Sequence, residues 1–245
     1  MSSSMHRSDN DASDPLGLIS RGLTKFHSLW VSLTYPFASR GRNLSIHYAA
    51  DLKRPMARRI KLGSDVQIGK DAWLNIPLGD TDAPAIIIED NCVVGRRSQI
   101  SARNCIHLER DVILSASVIL MDHNHAYEDV TLPIRDQGVT AGGRIRIEQG
   151  CWIGHGAAIV CDKGELVLGR NSVVATNAVV TRSCPPYSVV SGNPARVIKQ
   201  FDPVRQAWVL GSSRSVEPAA DRQKGSQNEH QLAAGFDRKD SLPTT

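Results

Sequence analysis

IEDNCVVGRRSQISARNC, Ile88 to Cys105, divides into three six-residue units: IEDNCV, VGRRSQ and ISARNC. An aliphatic residue opens each unit, a small or acidic residue often follows, and a small or β-branched residue often stands fifth. Units of the same kind precede it from Leu62 (LGSDVQ, IGKDAW, LNIPLG). Others follow from Leu108 (LERDVI, LSASVI, LMDHNH), from Ile147 (IEQGCW, IGHGAA, IVCDKG) and from Leu168 (LGRNSV, VATNAV, VTRSCP). A period of six fits neither the 3.6 of a helix nor the alternation of a two-faced strand. Such a repeat cannot bury a core alone and signals stacking. Six residues suit a short strand and a turn, three units close one prism-shaped coil, and coils stack through parallel strand pairing. The register breaks after Ile76, between Ile106 and Leu108, after Met121 and at CDKGEL. In a solenoid, breaks become loops on one face, and such loops often carry function.

The rest of the chain sets the frame. Its 245 residues are 41 % hydrophobic and 5 % aromatic, enough for a largely aliphatic core. A charge of +4 suits phosphate-bearing ligands or an anionic surface but is too weak to argue for nucleic acid. Five irregularly spaced cysteines without a CxxC offer no zinc knuckle or disulfide framework, and the odd count fits a reducing compartment. MSSSMHRSDNDASD lacks the regions of a signal peptide, and no apolar run approaches the roughly 20 residues that span a bilayer. The expected location is cytoplasmic, at or near the inner face of the membrane. Residues 1–14 and 211–245 are expected to be disordered. Residues 15–59 form an N-terminal helix and connector, 60–194 the solenoid and 195–210 a C-terminal helix. In the N-terminal helix Leu16, Ile19, Leu23, Phe26, Trp30 and Leu33 recur at helical spacing up to Tyr35-Pro36. The leading expectation docks this apolar face on the domain or a neighbouring subunit. The sharper one is peripheral membrane contact through residues 15–33.

MDHNHAYEDVTLPI, Met121 to Ile134, is the largest break and holds two histidines. Histidine is both the proton carrier nearest neutral pH and a common metal ligand. A metal pair of His123 and His125 would want a third ligand, for which His107 and His155 stand only by elimination. A solvated loop would need no role for either. Cys92 and Cys151, at fifth positions, read as core packing; Cys161 and Cys184 lie at turns without an evident base.

The hexads, with DHNH, CWIGHGAAIV, VVTRSCPP and GNPARVIK in this order, resemble the left-handed parallel β-helix acyltransferases. More narrowly they are similar to the maltose, galactoside and polysaccharide O-acetyltransferase branch, over roughly Ile60 to Phe201. The resemblance implies an all-β, left-handed parallel β-helix with an N-terminal amphipathic helix and a C-terminal helix. It also implies a homotrimer with a site between neighbouring coils, acetyl-CoA as co-substrate, a saccharide acceptor and no metal. It makes His123 the catalytic base, with His125 beside the substrate. Asp122 is a doubtful orienter, because adjacent side chains on a strand face opposite ways; Glu109 and Asp111 are alternatives. Acetyl-CoA would lie along Trp152, Gly154, His155, Thr176, Thr181 and Arg182, with Arg196 and Lys199 on its phosphates.

The acceptor region departs from the family's pattern. GRRSQISARN offers arginines where the branch binds its sugar with Asn and Asp, so Arg97 and Arg103 are expected at the acceptor, suiting an anionic one. LPIRDQGVTAGGRIRI would be a lid or subunit-contact loop hinged at Gly142-Gly143. Two other readings compete: a catalytically inactive trimeric scaffold or binding module, and a metal-dependent hydratase of the carbonic anhydrase type.

Overall fold

The hexads wind into a parallel β-helix with three flat faces. The computed structural model describes residues 15–77 and 82–210. One coil runs through Ile86–Ile88 on face A, Val93–Val94 on face B and Gln99–Ser101 on face C. The next runs through Cys105–Leu108, Ile113–Leu114 and Ile119–Met121. Coils stack in register: Leu114 pairs with Val94 and Ile153, and Leu120 with Ile100 and Ile159. Faces A and C hold six strands each, which makes six coils, and face B holds nine.

The fifteen hexad-opening residues, Leu62 through Val180, are all at most 3 % exposed and form one continuous aliphatic column. Burying each such side chain contributes about 1.5–3 kcal/mol, and most of it depends on the coil above or below. Fourth positions make the corner between faces A and B. Asp65, Asn91, Asp111, Gly150 and Asn171 all have φ between +53° and +73°, the left-handed region that Asn, Asp and Gly tolerate best. Asn91 Nδ2 donates to Asp111 Oδ1 at 3.2 Å, tying one coil's corner to the next.

Three of the four predicted breaks fall on one edge, between faces C and A; the one expected between Ile106 and Leu108 lies inside the Cys105–Leu108 strand, and the chain turns earlier, at 102–104. The connections there are 76–85, 102–104, 122–143 and 161–164. Of these, 102–104 and 161–164 are short turns, and 122–143 is long, with an exposed tip.

The N-terminal helix α1 spans Pro15–Thr34, ending where the proline signal put it. Its packing on this chain is the reverse of the leading expectation. Ser28 and Val31 are buried, Ser20 and Thr24 half-buried, while Ile19, Leu23, Phe26, Trp30 and Leu33 point outward. The cause is the edge it covers. The first coil's Ser45–Ile46 strand has no upstream neighbour, and Ser28 Oγ accepts the Ile46 N–H at 2.8 Å. His27 Nδ1 lies 3.2 Å from the Ile46 carbonyl. A small polar face fits this backbone edge; large aliphatics would leave it unpaired. None of the described helices is long and apolar enough to cross a membrane.

The expected C-terminal helix over 195–210 is a β-hairpin. Ala195–Asp202 pairs antiparallel with Ser188–Gly192, and Ala207–Leu210 pairs antiparallel with Ala195–Asp202. Gly192 pairs with Ala195, which leaves Asn193-Pro194 as the two-residue turn, with φ +100° at Gly192. A turn dipeptide between β-branched runs is a hairpin signal, and Val197-Ile198 favours a strand. At the second turn the Asp202 carboxylate accepts the Val204 and Arg205 N–H groups. The expectations for residues 1–14 and 211–245 lie outside the described residues.

Candidate active site

The Asp122-His123 pair sits where the Ile119–Met121 strand ends and the chain turns off the solenoid. The Asp122 carboxylate is buried. Its Oδ1 accepts the Arg103 N–H at 2.7 Å, and its Oδ2 accepts those of Asn104 and Cys105, each at 2.9 Å. Three successive amides of the tight 102–104 turn thus form an anion-holding nest in the coil below. Asp122 Oδ1 also lies 3.0 Å from His123 Nδ1. A carboxylate oxygen accepts, so Nδ1 carries the proton and donates, and neutral His123 keeps the lone pair on Nε2. His123 is 7 % exposed. Among the described residues no buried side-chain nitrogen or oxygen lacks a partner, and Nε2 makes no hydrogen bond, so Nε2 is accessible to solvent.

Asp122 is therefore the residue beside the ring, and Glu109 and Asp111 are not. Glu109 pairs with Arg146 on face A, and Asp111 belongs to the opposite corner ladder. The doubt about Asp122 came from strand alternation, which ends at Met121; the bend turns both side chains to one side. The backbone around them is fixed. The Arg103 carbonyl accepts from Arg59 Nη2 at 3.1 Å, while Arg59 Nε donates to the Ala83 carbonyl. Asn104 Nδ2 donates to the Ala141 carbonyl at 2.8 Å and anchors the loop's return. No motif announced Arg59 or Asn104 as supports.

The 122–143 loop is stitched at its base. Gly143 N donates to the Asp122 carbonyl, Thr140 N to the Asn124 carbonyl, and Ala126 N to the Gly138 carbonyl. His125, exposed, bridges Val139 in this stem. Gly142 and Gly143 stand where no side chain fits. A Cβ on Gly142 would meet the Asp122 carbonyl oxygen at 2.9 Å and Asn104 Nδ2 at 3.0 Å, at a φ of +81°. A Cβ on Gly143 would lie 2.6 Å from Cys161 Sγ. Beyond the stem Tyr127, Val130, Leu132 and Ile134 are exposed, and Gln137 cross-links Asp129 and Leu132.

The other predicted site residues do not gather around His123 within one chain. Arg103 does, with its half-buried backbone in the nest, and Thr181 and Arg182 share the same edge two coils further on. Arg97, Gly154, His155 and Thr176 occupy the corner between faces B and C. Arg97 is a turn residue there, φ +57°, and is separated from His123 by the width of face C. A Cβ on Gly154 would meet Thr176 N at 2.7 Å, so the wall between these coils is bare backbone. Trp152, half exposed, donates from Nε1 to Ser115 Oγ at 2.9 Å and lies against this corner. Arg196 and Lys199, expected at a helix start, are both exposed on the Ala195–Asp202 strand. A bulge leaving Ile198 unpaired stands between them.

His107 Nε2 contacts Glu89 Oε1 on face A at 2.8 Å, and His155 is on the far corner, so neither stands beside His123 as a third ligand. Burial pushes the Cys92 and Cys151 thiols up to about 12. It raises Cys105, Cys161 and Cys184 as well, so each thiol holds its proton at neutral pH.

This fold and this corner define a left-handed hexapeptide-repeat β-helix with a carboxylate–imidazole pair at the root of the 122–143 loop. The hexapeptide repeat of succinyl-transferase matches residues 85–121 and 144–182. A Mycobacterium tuberculosis chain named as a probable acetyltransferase is 29 % identical over 74 % of this chain and 54 % of its own length. An Escherichia coli chain, WbbJ, named for lipopolysaccharide biosynthesis O-acetyl transfer, is 26 % identical over 50 % of this chain and 64 % of its own. The chain thus spans less than two thirds of these relatives. In fold it is similar to AntD, an N-acyltransferase from Bacillus cereus solved with a dTDP-amino sugar and coenzyme A. The TM-score is 0.58 at 18 % identity, covering 71 % of this chain and 88 % of that one.

Proposed function

We propose that this chain is an acetyl-CoA-dependent O-acetyltransferase acting on a saccharide hydroxyl in polysaccharide or glycolipid biosynthesis. One observation carries the reading: a buried, fully bonded Asp122 fixes His123 with Nε2 bare and accessible to solvent. A sugar hydroxyl is a poor nucleophile at neutral pH. Nε2 takes its proton as the oxygen attacks the thioester carbonyl, the C–S bond breaks, and the imidazolium returns the proton to the departing thiolate. Asp122 steadies the tautomer and the transient cation, as the carboxylate of a triad does. Transfer is direct, because every described thiol is held protonated.

The donor lies on the other corner, along the bare wall at Gly154 and beside Trp152, His155 and Thr176. Its nucleotide phosphates meet Arg182, Arg196 or Lys199. Since the wall at Gly154, His155 and Thr176 stands on a different edge from His123, the site is completed by a neighbouring copy in a homotrimer. Arg103, beside the nest, favours an anionic acceptor, and the name of the E. coli relative supports a glycolipid one.

The test is calorimetric titration of acetyl-CoA into the full chain, followed by CoA release with saccharide acceptors. His123→Ala should bind acetyl-CoA within about twofold of the parent and lose about 10²–10⁴-fold in kcat. An unchanged kcat would remove His123 from the chemistry. Absence of acyl-CoA binding to the folded oligomer would remove the transferase reading altogether and favour the scaffold.

A further inference from the structure

We propose that the outward face of α1 and the basic first coil together form a docking surface for an anionic lipid bilayer. The helix is built inside out with respect to its own domain. Seven large apolar side chains, Leu18, Ile19, Leu23, Phe26, Leu29, Trp30 and Leu33, are each at least 48 % exposed. At 100° per residue they cover an arc of about 140°, wider than the narrow seam of a coiled coil. Tyr48, stacked on His47 at 4.3 Å, extends this surface, and with Leu23, Phe26, His27 and Trp30 it lines a groove of about 360 Å³. Trp and Tyr at the rim of an apolar face suit the boundary between headgroups and acyl chains.

Charge selects the occupant. From Pro15 to Leu62 there are nine Lys or Arg residues and one carboxylate, Asp51. The rest of the chain, with twenty cations and twenty-four carboxylates, sums to −4. Of the nine cations only Arg59 is buried, and among the described residues none of the nine makes an ion pair. Arg21 and Lys25 flank the apolar arc directly, and α1 carries no acidic residue. Two copies meeting through this face would bring +8 against +8, which opposes self-docking. An anionic leaflet neutralises the charge and takes up the apolar arc in one step, the arrangement of an in-plane amphipathic helix. This surface lies on the end of the solenoid and does not depend on the acyl-transfer reading.

The experiment is flotation of the full chain with vesicles of phosphatidylcholine containing about 30 mol % phosphatidylglycerol, against pure phosphatidylcholine vesicles. Binding to the anionic vesicles should be at least about tenfold tighter and should weaken with salt. Phe26→Ser with Trp30→Ser should cost at least about tenfold, and both side chains point outward, so the fold is untouched. Arg42→Glu with Arg58→Glu, which leaves the helix intact, should lower affinity by a similar factor, each cation contributing roughly fivefold. Sedimentation velocity on every variant gives the oligomeric state. Equal affinity for neutral vesicles, or no binding, overturns the proposal. So does a Phe26/Trp30 pair that splits an oligomer without changing vesicle affinity, which would make the face an interface between copies.

Discussion

At the scale of single residues, the proposed chemistry rests on one bend. Asp122 spends both oxygens on backbone amides and one imidazole N–H, so it serves as acceptor only. Asp122→Asn replaces one acceptor by a donor facing the amides of Arg103 to Cys105. It should lower kcat by about 10²–10⁴-fold while acetyl-CoA affinity stays within about twofold. Steady-state kinetics beside calorimetry separates this positioning effect from a general loss of structure, which would weaken both. The five thiols offer a second check. Since burial raises Cys92 and Cys151 to about 12, a thiol reagent at pH 8 should leave them unlabelled until denaturant is added. The sign of the linkage follows from the same shift. Their stabilising contribution is complete below the ordinary thiol value of 9.0 and is lost as pH rises towards 12, because the unfolded chain releases those protons first. Urea melts at pH 8 and pH 10.5 should show the loss.

At the scale of elements, the solenoid was legible because its code is local and repeated. One aliphatic per hexad, fifteen times, suffices to draw the column, and every one is buried. The fourth-position Asp, Asn or Gly at the corner between faces A and B is a second local signal, which the reading by first, second and fifth positions leaves out, since few other residues accept the left-handed conformation. Two elements were misread for opposite reasons. In α1 the apolar periodicity was correct, but periodicity alone does not say which face meets the domain. The backbone of Ile46 needs a partner, and only the Ser28 side supplies one. At the C-terminus, GNPARVIK makes a hairpin and not the expected helix start, because Asn193-Pro194 turns the chain back on itself. The proposed site was half legible: the largest break drew attention to His123 and the family resemblance gave it its role, whereas its partner Asp122 was obscured by an alternation that stops one residue too early. The edge seal is testable. Ser28→Ala leaves the buried Ile46 N–H without an acceptor and should cost about 1–3 kcal/mol, read as a lower urea midpoint. Gly142→Ala should cost a similar amount, since a Cβ there meets Asn104 and the Asp122 carbonyl at φ +81°.

At the scale of the whole molecule, the proposed function places its base and its donor wall on two different edges, a demand that one chain does not meet. A prism with three faces keeps neighbouring corners apart by a whole sheet. His123 and the wall at Trp152, Gly154 and His155 therefore face different directions. A closed ring of copies solves this, because a heterologous contact sets one edge of each subunit against a different edge of the next. The exposed apolar tip of the 122–143 loop, with Tyr127, Val130, Leu132 and Ile134 outward, is the kind of surface such a contact covers. The arrangement predicts complementation. His123→Ala subunits lack the base but keep the donor wall, and subunits with Trp152→Ala and His155→Ala keep the base but lack the wall. Each pure variant should be nearly inactive. When equal amounts are unfolded, mixed and refolded, a site is whole only where a base-bearing subunit meets a wall-bearing one in the right order. Random assembly makes that about a quarter of the sites in any closed ring. Recovery of about a quarter of parental kcat per site would place the two halves on different subunits; no recovery from a well-folded mixed oligomer would return the whole site to one chain.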